Sequence, residues 1–311
     1  MSAELDTWIL SQRPARAKLD AYLPYEYFLE EECSALGTVE AVATVFLTNR
    51  ECPFRCLMCD LWRNTLTETV PIGAIPAQID HALSQLPPAS VLKLYNSGSF
   101  FDPHAIPCRD YEAIAERIRG FARVIVENHP ALVGDACLRF RDLLPGRLEI
   151  AMGLETAHPE VLAKLNKRMT LDQFSKAASF LRRHDIDVRV FILVQPPYMR
   201  PEEALDWARR SLDFAMESGA TAATLIPTRG GNGAMELLME LGEFVPPALH
   251  TLEAAMEYGL GRKAGRVFAD LWGLRESCPH CHGERAGRLR QMNLRQVVLE
   301  RVSCVWCHGA S

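Results

Sequence analysis

The stretch "AVATVFLTNRECPFRCLMC", residues 41–59, joins a short apolar run to a loop that carries three cysteines. The run at 41–47 is rich in β-branched residues and predicts a buried strand. Cys52, Cys56 and Cys59 follow it with the spacing C-x3-C-x2-C, and no fourth cysteine lies close behind. Three thiols are therefore expected in the loop that leaves this strand.

Five similar runs follow along the chain, and segments with a helical period separate them. Strands are predicted at 41–47, 90–95, 122–127, 148–154, 187–194 and 220–226, and helices at 75–86, 110–120, 131–144, 159–165, 171–184 and 202–218. Such regular alternation predicts parallel strands joined by helical crossovers, in a doubly wound sheet or in a full or partial barrel. Six units are fewer than the eight of a closed barrel.

Composition and cysteine usage indicate the compartment. The 311-residue chain is 48% hydrophobic and 23% charged, which is typical of a globular protein with a large core. No apolar run reaches the ~18 residues of a membrane span, and the N-terminus does not resemble a signal peptide. We therefore expect a cytoplasmic protein without a membrane partner. In a reducing compartment, clustered cysteines more often hold metal than form disulfides.

Polar residues follow the predicted strands, where parallel α/β folds bind their ligands. The second strand runs into Asn96, Ser97 and Gly98, the third into Glu127, and the fourth into Glu155. Three thiolates that hold a cluster of four irons leave one iron free to bind a small chelating molecule. A structural zinc with a distant histidine as fourth ligand is the alternative.

These motifs together resemble the radical S-adenosylmethionine (SAM) superfamily. The resemblance implies that Cys52, Cys56 and Cys59 bind a [4Fe–4S] cluster whose fourth iron is chelated by SAM. It further implies that Asn96, Ser97 and Gly98 lie near the methionyl amine, Glu155 near the ribose and Arg168 near the carboxylate. In this family, one electron from an external donor such as flavodoxin or ferredoxin cleaves SAM. The resulting 5′-deoxyadenosyl radical abstracts hydrogen from a substrate. Glu127 could orient that substrate or mediate proton transfer.

Within the superfamily, "CLMCDLW", "KLYNSGSFFDP", "VIVENHP" and "MGLETAHPEVLAKLNKRMT" are most similar to one branch. It contains the elongator catalytic subunit and the radical enzyme of archaeosine formation in transfer RNA. Two substrate classes are open, a modified tRNA base and a small metabolite or natural-product intermediate. A non-catalytic iron–sulfur binding or sensing protein is a third hypothesis.

A second cysteine motif lies near the C-terminus, in "CPHCHG" (278–283) and "CVWCHG" (304–309). Two C-x2-C pairs resemble a zinc ribbon, so Cys278, Cys281, Cys304 and Cys307 are expected to meet at one metal. The same four ligands could hold a second iron–sulfur cluster, and the C-x-x-C-H pattern also occurs in c-type haem attachment. Nearby histidines could replace a cysteine or support the ligands; these are His280, His282 and His308.

The segment around these cysteines is basic, although the formal net charge of the whole chain is −5. Between residues 262 and 301, nine Lys/Arg stand against four Asp/Glu. Arg285, Arg288 and Arg290 could contact phosphates of RNA, or the charge could simply solvate a metal loop. The stretch between the cysteine pairs is expected to bury little apolar area and to depend on metal for order.

We therefore predict an α/β fold built on a partial (β/α)6 barrel of parallel strands. The N-terminal extension covers residues 1–38, the radical SAM partial barrel 39–235, and a C-terminal helical segment with the cysteine-paired metal site 236–311.

Overall fold

All six predicted strands are present in the computed structural model, which describes residues 2–276 and 278–307. They lie in one eight-stranded sheet, in chain order, that curls into a half-barrel. The strands are β1 (Glu26–Cys33), β2 (Val39–Phe46), β3 (Val91–Tyr95), β4 (Arg123–Glu127), β5 (Arg147–Glu155), β6 (Asp187–Val194), β7 (Ala222–Pro227) and β8 (Arg266–Ala269). The predicted α/β partial barrel is confirmed.

Helices connect the strands and cover the outer face of the sheet. They are α1 (Ser2–Ser11), α2 (Ala74–Gln85), α3 (Tyr111–Ile118), α4 (Asp135–Leu143), α5 (Pro159–Lys164), α6 (Leu171–Arg183), α7 (Pro201–Glu217), α8 (Ala234–Glu240), α9 (Leu249–Arg262) and α10 (His282–Arg295). Short 3₁₀ turns occupy Leu61–Asn64, Cys108–Asp110 and Pro130–Leu132. Within the described part of the chain, every helix is too short or too polar to cross a bilayer.

Two strands of the sheet were not predicted from the sequence. β1 pairs antiparallel with β2, whereas β8 extends the sheet in parallel beyond β7. β1 reads "EYFLEEEC" and therefore lacks an apolar run, and β8 has only four residues. The first belongs to the predicted N-terminal extension and the second to the predicted C-terminal segment, so both segments supply strands to the same sheet as the barrel.

A buried ionic network at the inner face of the half-barrel explains the acidic sequence of β1. Arg189 donates to both Glu32 and Glu149, the latter at 2.6 Å between Nε and Oε1. Lys93 Nζ lies 2.8 Å from Glu32 Oε2, and Arg266 Nη2 lies 3.2 Å from Glu149 Oε2. All five side chains are buried. Because a buried charge needs a partner, this network stabilises β1 at the edge of the sheet.

The opposite face of the sheet supplies the main hydrophobic core. Residues that alternate with the inward-facing ones point toward the helices, as the two-residue period of a strand requires. Val45, Leu94, Val126, Ile150 and Val190 are buried there against the helical layer. The core thus lies outside the curl of the sheet, and the inside is left for polar groups and a cavity.

Candidate functional site

The loop after β2 opens onto a cavity of about 1440 Å³ at the carboxyl ends of the strands. Cys52, Cys56 and Cys59 all line this cavity, together with Glu127 and Glu155 from the ends of β4 and β5. The structure therefore brings the predicted thiols and two predicted acidic residues to one chamber.

Backbone contacts from later segments hold the three-cysteine loop in place. Leu57 is fully buried, and its N–H donates to the carbonyl of Leu165 at 3.0 Å. Asn232 Nδ2 donates to the carbonyls of Leu57 (2.8 Å) and Cys59 (3.2 Å). Asn166 Nδ2 donates to the Arg55 carbonyl at 2.7 Å. The positions of the thiols are thus set by the segments that follow β5 and β7.

The environment of the thiols suits a cationic metal centre. Burial raises the pKa of Cys56 to about 11 and the pKa values of Cys52 and Cys59 to about 12. Without a metal, the thiols therefore stay protonated at neutral pH, and thiolates require a metal to offset their desolvation. Helix α1 packs over this loop, with Ile9 beside Leu57 and Met235 in one apolar cluster.

The segment after β3 approaches the first cysteine closely. A Cβ added at Gly98 would lie 3.3 Å from Cys52 Cβ, so a side chain there would press on the loop. Ser97 has a left-handed φ of 51°, and its hydroxyl is 2.8 Å from the Tyr25 hydroxyl. Ser97 and Gly98 line the cavity, whereas Asn96 is fully buried beside it. Neither polar atom of the Asn96 side chain has a hydrogen-bond partner within the described residues.

Glu127 links the ends of β3 and β4. Its Oε2 accepts the backbone N–H of Asn96 at 3.0 Å, and the carboxylate lines the cavity. Burial raises the pKa of Glu127 to about 7, even though the backbone N–H groups of Asn96 and Ser97 favour the charged form. At neutral pH, Glu127 is therefore able to give or take a proton.

A buried ion pair lies at the end of β5. Lys167 Nζ is 2.7 Å from Glu155 Oε1, and both residues line the cavity. Burial lowers the pKa of Lys167, but the Glu155 carboxylate raises it, and because the net shift is upward the ammonium stays charged. A Cβ at Gly153 would fall 2.1 Å from Glu155 Oε1 and 2.6 Å from Lys167 Nζ. An alanine there would displace the ends of these two side chains.

Arg168, which the sequence predicted to lie near the SAM carboxylate, does not line the cavity, unlike its neighbour Lys167. Its guanidinium forms an ion pair with Asp6 of α1, and its side chain is 37% exposed. Within the described chain, the cavity lining contains Lys167 and not Arg168. Both cations occur in "LNKRMT". Which of the two lines the cavity depends on the left-handed backbone at Asn166 and Arg168.

His129 and Phe54 also belong to the site, although the sequence reasoning did not select them. Their rings stack at 3.7 Å with an interplanar angle of 14°. His129 Nδ1 accepts the N–H of Ala131, so Nε2–H donates to the Lys167 carbonyl at 2.9 Å. Burial and Lys167 lower the pKa of His129 to about 3, which keeps the ring neutral. His129 therefore ties the cysteine loop to the Lys167 segment.

The four C-terminal cysteines form a compact group. The sulfur atoms of Cys278, Cys281, Cys304 and Cys307 all lie within 4.8 Å of one another, which confirms the predicted convergence. A set of four thiols this close suits a tetrahedral metal site. Among the residues that the structure describes, no other set of three or more ligands is gathered in this way.

The histidines near this group have other environments. His280 stacks on Trp306 at 4.8 Å. His282 Nδ1 is buried without a hydrogen-bond partner among the described residues, and His308 lies outside them.

The segment between the cysteine pairs differs from the expectation that it would bury little. It forms α10, and Leu289 and Met292 are fully buried in the main core. Arg285 pairs with Glu253 in a partly buried contact. Arg288 Nη2 lies 2.7 Å from a carboxylate oxygen of Glu257. Two of the three arginines considered for phosphate contact are thus used inside the protein.

The third, Arg290, is exposed and lines the cavity. The local positive charge is therefore smaller at the surface than the sequence suggests.

No known family model matches the chain. It is 25% identical over 257 residues to "Archaeosine synthase subunit beta" of Methanosarcina acetivorans, which covers 78% of this chain and 74% of the relative. It is 23% identical over 250 residues to "Uncharacterized protein MJ0550" of Methanocaldococcus jannaschii, covering 75% of this chain and 68% of that protein.

Among solved structures, the chain is similar to Methanocaldococcus infernus Elp3 with an N-terminal deletion. The TM-score is 0.53 and the identity 12%, over 86% of this chain and 65% of the other. At this identity, the likeness establishes the fold alone. The sequence relative and this neighbour confirm the similarity to the elongator and archaeosine branch that the sequence motifs predicted.

Proposed function

We propose that the chain binds a [4Fe–4S] cluster through Cys52, Cys56 and Cys59 and binds SAM in the adjoining cavity. The observation that carries this proposal is the convergence of three half-buried thiols with polar strand ends on one chamber. When bound, the cluster and SAM supply a 5′-deoxyadenosyl radical that abstracts hydrogen from a substrate. The protein holds the reactants in line and excludes water and other hydrogen donors.

The cavity lining suggests which residues bind SAM. Ser97 and Gly98 lie beside Cys52 and would meet the methionyl amine, with Asn96 behind them. Glu155 would accept a hydrogen bond from the ribose. Lys167 is better placed than Arg168 for the carboxylate, because it is buried and lines the cavity while Arg168 pairs with Asp6. The Asp6–Arg168 pair would instead anchor α1 over the cluster loop.

Glu127 would act on the substrate from the end of β4. Its carboxyl group lines the cavity and has a pKa of about 7, so it could orient a polar substrate group or take up a proton. The alternative is a structural role, since it also accepts the Asn96 N–H.

Anaerobic reconstitution tests the central proposal. Wild-type protein with dithionite and SAM should yield 5′-deoxyadenosine and methionine and should bind about four irons at the first site. Cys56→Ala should lose both the iron and the cleavage, whereas Cys108→Ala, which changes an exposed cysteine outside both clusters, should keep them. If Cys56→Ala still cleaves SAM, the proposal fails. Iron binding without cleavage would support the non-catalytic sensing protein.

The substrate is proposed to be a modified tRNA base or a small metabolite. The relative named archaeosine synthase subunit beta supports the first, and the extensive internal cavity admits either a small molecule or an extruded base. A screen with deuterated candidates distinguishes them, because the true substrate transfers deuterium into 5′-deoxyadenosine. We expect the electron to come from an external donor such as flavodoxin or ferredoxin and the protein to be cytoplasmic.

The C-terminal cysteines are proposed to hold a structural zinc, with a second iron–sulfur cluster as the alternative. Metal analysis of the reconstituted protein separates them: about one zinc and four irons indicates zinc, whereas about eight irons without zinc indicates a second cluster. Cys281→Ala should increase proteolysis near 278–281 and 302–307. It should leave the first cluster's absorption intact, since that cluster's ligands come from the barrel.

A further inference from the structure

Helix α10 covers an edge of the sheet that the barrel leaves open. The sheet runs from β1 to β8 in order, and no pairing joins β8 back to β1 among the described strands. An open edge strand exposes a row of unpaired backbone groups and invites pairing with another chain. α10 contacts both β8 and β1, so it spans the gap between the two ends of the curled sheet.

Two side-chain amides on α10 replace the missing neighbouring strand. Asn293 Oδ1 accepts the Ala269 N–H at 2.8 Å, and Asn293 Nδ2 donates to the Ala269 carbonyl at 2.9 Å. Gln296 does the same for Val267, accepting its N–H at 2.8 Å and donating to its carbonyl at 2.9 Å. Each amide thus satisfies the donor and acceptor of one β8 residue, as the backbone of another strand would.

This attachment orients one face of α10 toward the cavity. Arg290, Asn293 and Leu294 all line it. Arg290 and Asn293 are three residues apart and therefore share a helix face. The opposite side of α10 is held to α9 by the pairs of Arg285 with Glu253 and Arg288 with Glu257. The helix is consequently held between α9 and the sheet edge by contacts along its length.

We propose that α10 is the lateral wall of the substrate chamber, and that Asn293 and Gln296 are the positioning residues that hold it by imitating a ninth strand. The statement that the chamber receives a substrate rests on the proposed function. The hydrogen bonding of the β8 edge by Asn293 and Gln296, called the seal below, does not depend on it. From this helix, Arg290 lines the chamber. Substitutions at Asn293 or Gln296 are expected to change the substrate side of the chamber and to leave the three-cysteine loop in place.

Hydrogen exchange at the Val267 and Ala269 amides tests the seal. In full-length, metal-loaded protein, Asn293→Ala should speed exchange at Ala269 by about tenfold, because its N–H loses its acceptor. Asn293→Asp keeps that acceptor oxygen but loses the N–H that donates to the Ala269 carbonyl, so exchange there should be faster than in wild type yet clearly slower than in Asn293→Ala. Gln296→Ala and Gln296→Glu should show the same contrast at Val267. Gln291→Ala, on an exposed position of the same helix, is the matched control.

A general loss of packing would speed exchange equally in the Ala and Asp variants. Loss of the proposed hydrogen bond should speed exchange more in the Ala variant. Equal exchange in Asn293→Ala and wild type, or equal acceleration in Asn293→Ala and Asn293→Asp, would overturn the proposal. The double Ala variant should also self-associate as its concentration rises in sedimentation, since the β8 edge is then free. Uncoupled SAM cleavage by the control Gln291→Ala should remain within about twofold of wild type. Absence of SAM cleavage in the wild-type protein would count against the proposed function and would leave the exchange test of the β8 edge valid.

Discussion

Replacing Glu127 by Gln should stabilise the protein at pH 8 and have little effect at pH 5. The pKa of Glu127 is raised from 4.5 to about 7 because the carboxylate is buried, so the folded state holds the proton more tightly than the unfolded chain. A carboxyl of this kind contributes stability below pH 4.5 and loses it as the pH rises to about 7. At about 1.4 kcal/mol per pH unit, this interval corresponds to about 3 kcal/mol. Because Glu127 is only half-buried and faces the cavity, we expect about 2 kcal/mol.

Urea denaturation of the metal-free protein at the two pH values measures this effect. Gln keeps an oxygen that accepts the Asn96 N–H, so the substitution removes the charge and leaves that contact in place. Glu217→Gln, at an exposed position in the last turn of α7, is the matched control and should show no comparable pH dependence. An equal change in unfolding free energy at pH 5 and pH 8 for Glu127→Gln would refute the reasoning.

Three other predictions concern the ionic network, the glycine beneath the ion pair and the surface arginine. Glu32→Gln should destabilise the protein by about 3–5 kcal/mol, since Arg189 and Lys93 lose a buried partner. Denaturant titrations should show a far smaller loss for Glu31→Gln, at an exposed position of the same strand. The pKa of Glu32 is lowered because Arg189 and Lys93 outweigh its burial, so this contribution is present above about pH 4.5 and is lost as the pH falls further. Gly153→Ala should push Glu155 and Lys167 apart and cost about 1–3 kcal/mol in stability. Calorimetry should then show weaker SAM binding. In the control Gly120→Ala, the added Cβ meets nothing within 4 Å, so SAM binding should be unchanged. If tRNA is the substrate, Arg290→Ala should reduce the salt dependence of its binding by about one phosphate contact, and wild-type binding that is absent or insensitive to salt would favour the small metabolite.

Local patterns were sufficient to predict the fold class from the sequence. Six apolar runs alternate with helical segments, and each appears in the structure at nearly the predicted place, because strand and helix periodicity are properties of neighbouring residues. The spacing of Cys52, Cys56 and Cys59 likewise indicated a metal loop, and the two C-x2-C pairs predicted their own convergence. These features need no knowledge of distant contacts.

Tertiary structure alone decided the features that depend on partners far apart in the chain. β1 pairs with β2 while Arg189 and Lys93 neutralise its Glu32, and β8 pairs with β7 while Asn293 and Gln296 complete the hydrogen bonds of its outer edge. That Lys167 lines the cavity while Arg168 pairs with Asp6 of α1 depends on a left-handed backbone turn and on a residue far away in the chain, which no pattern around residue 167 reveals. Charge and hydrogen-bonding capacity are written in the sequence, but whether they face a cavity, a partner or solvent is determined when the sheet curls and brings its strand ends together.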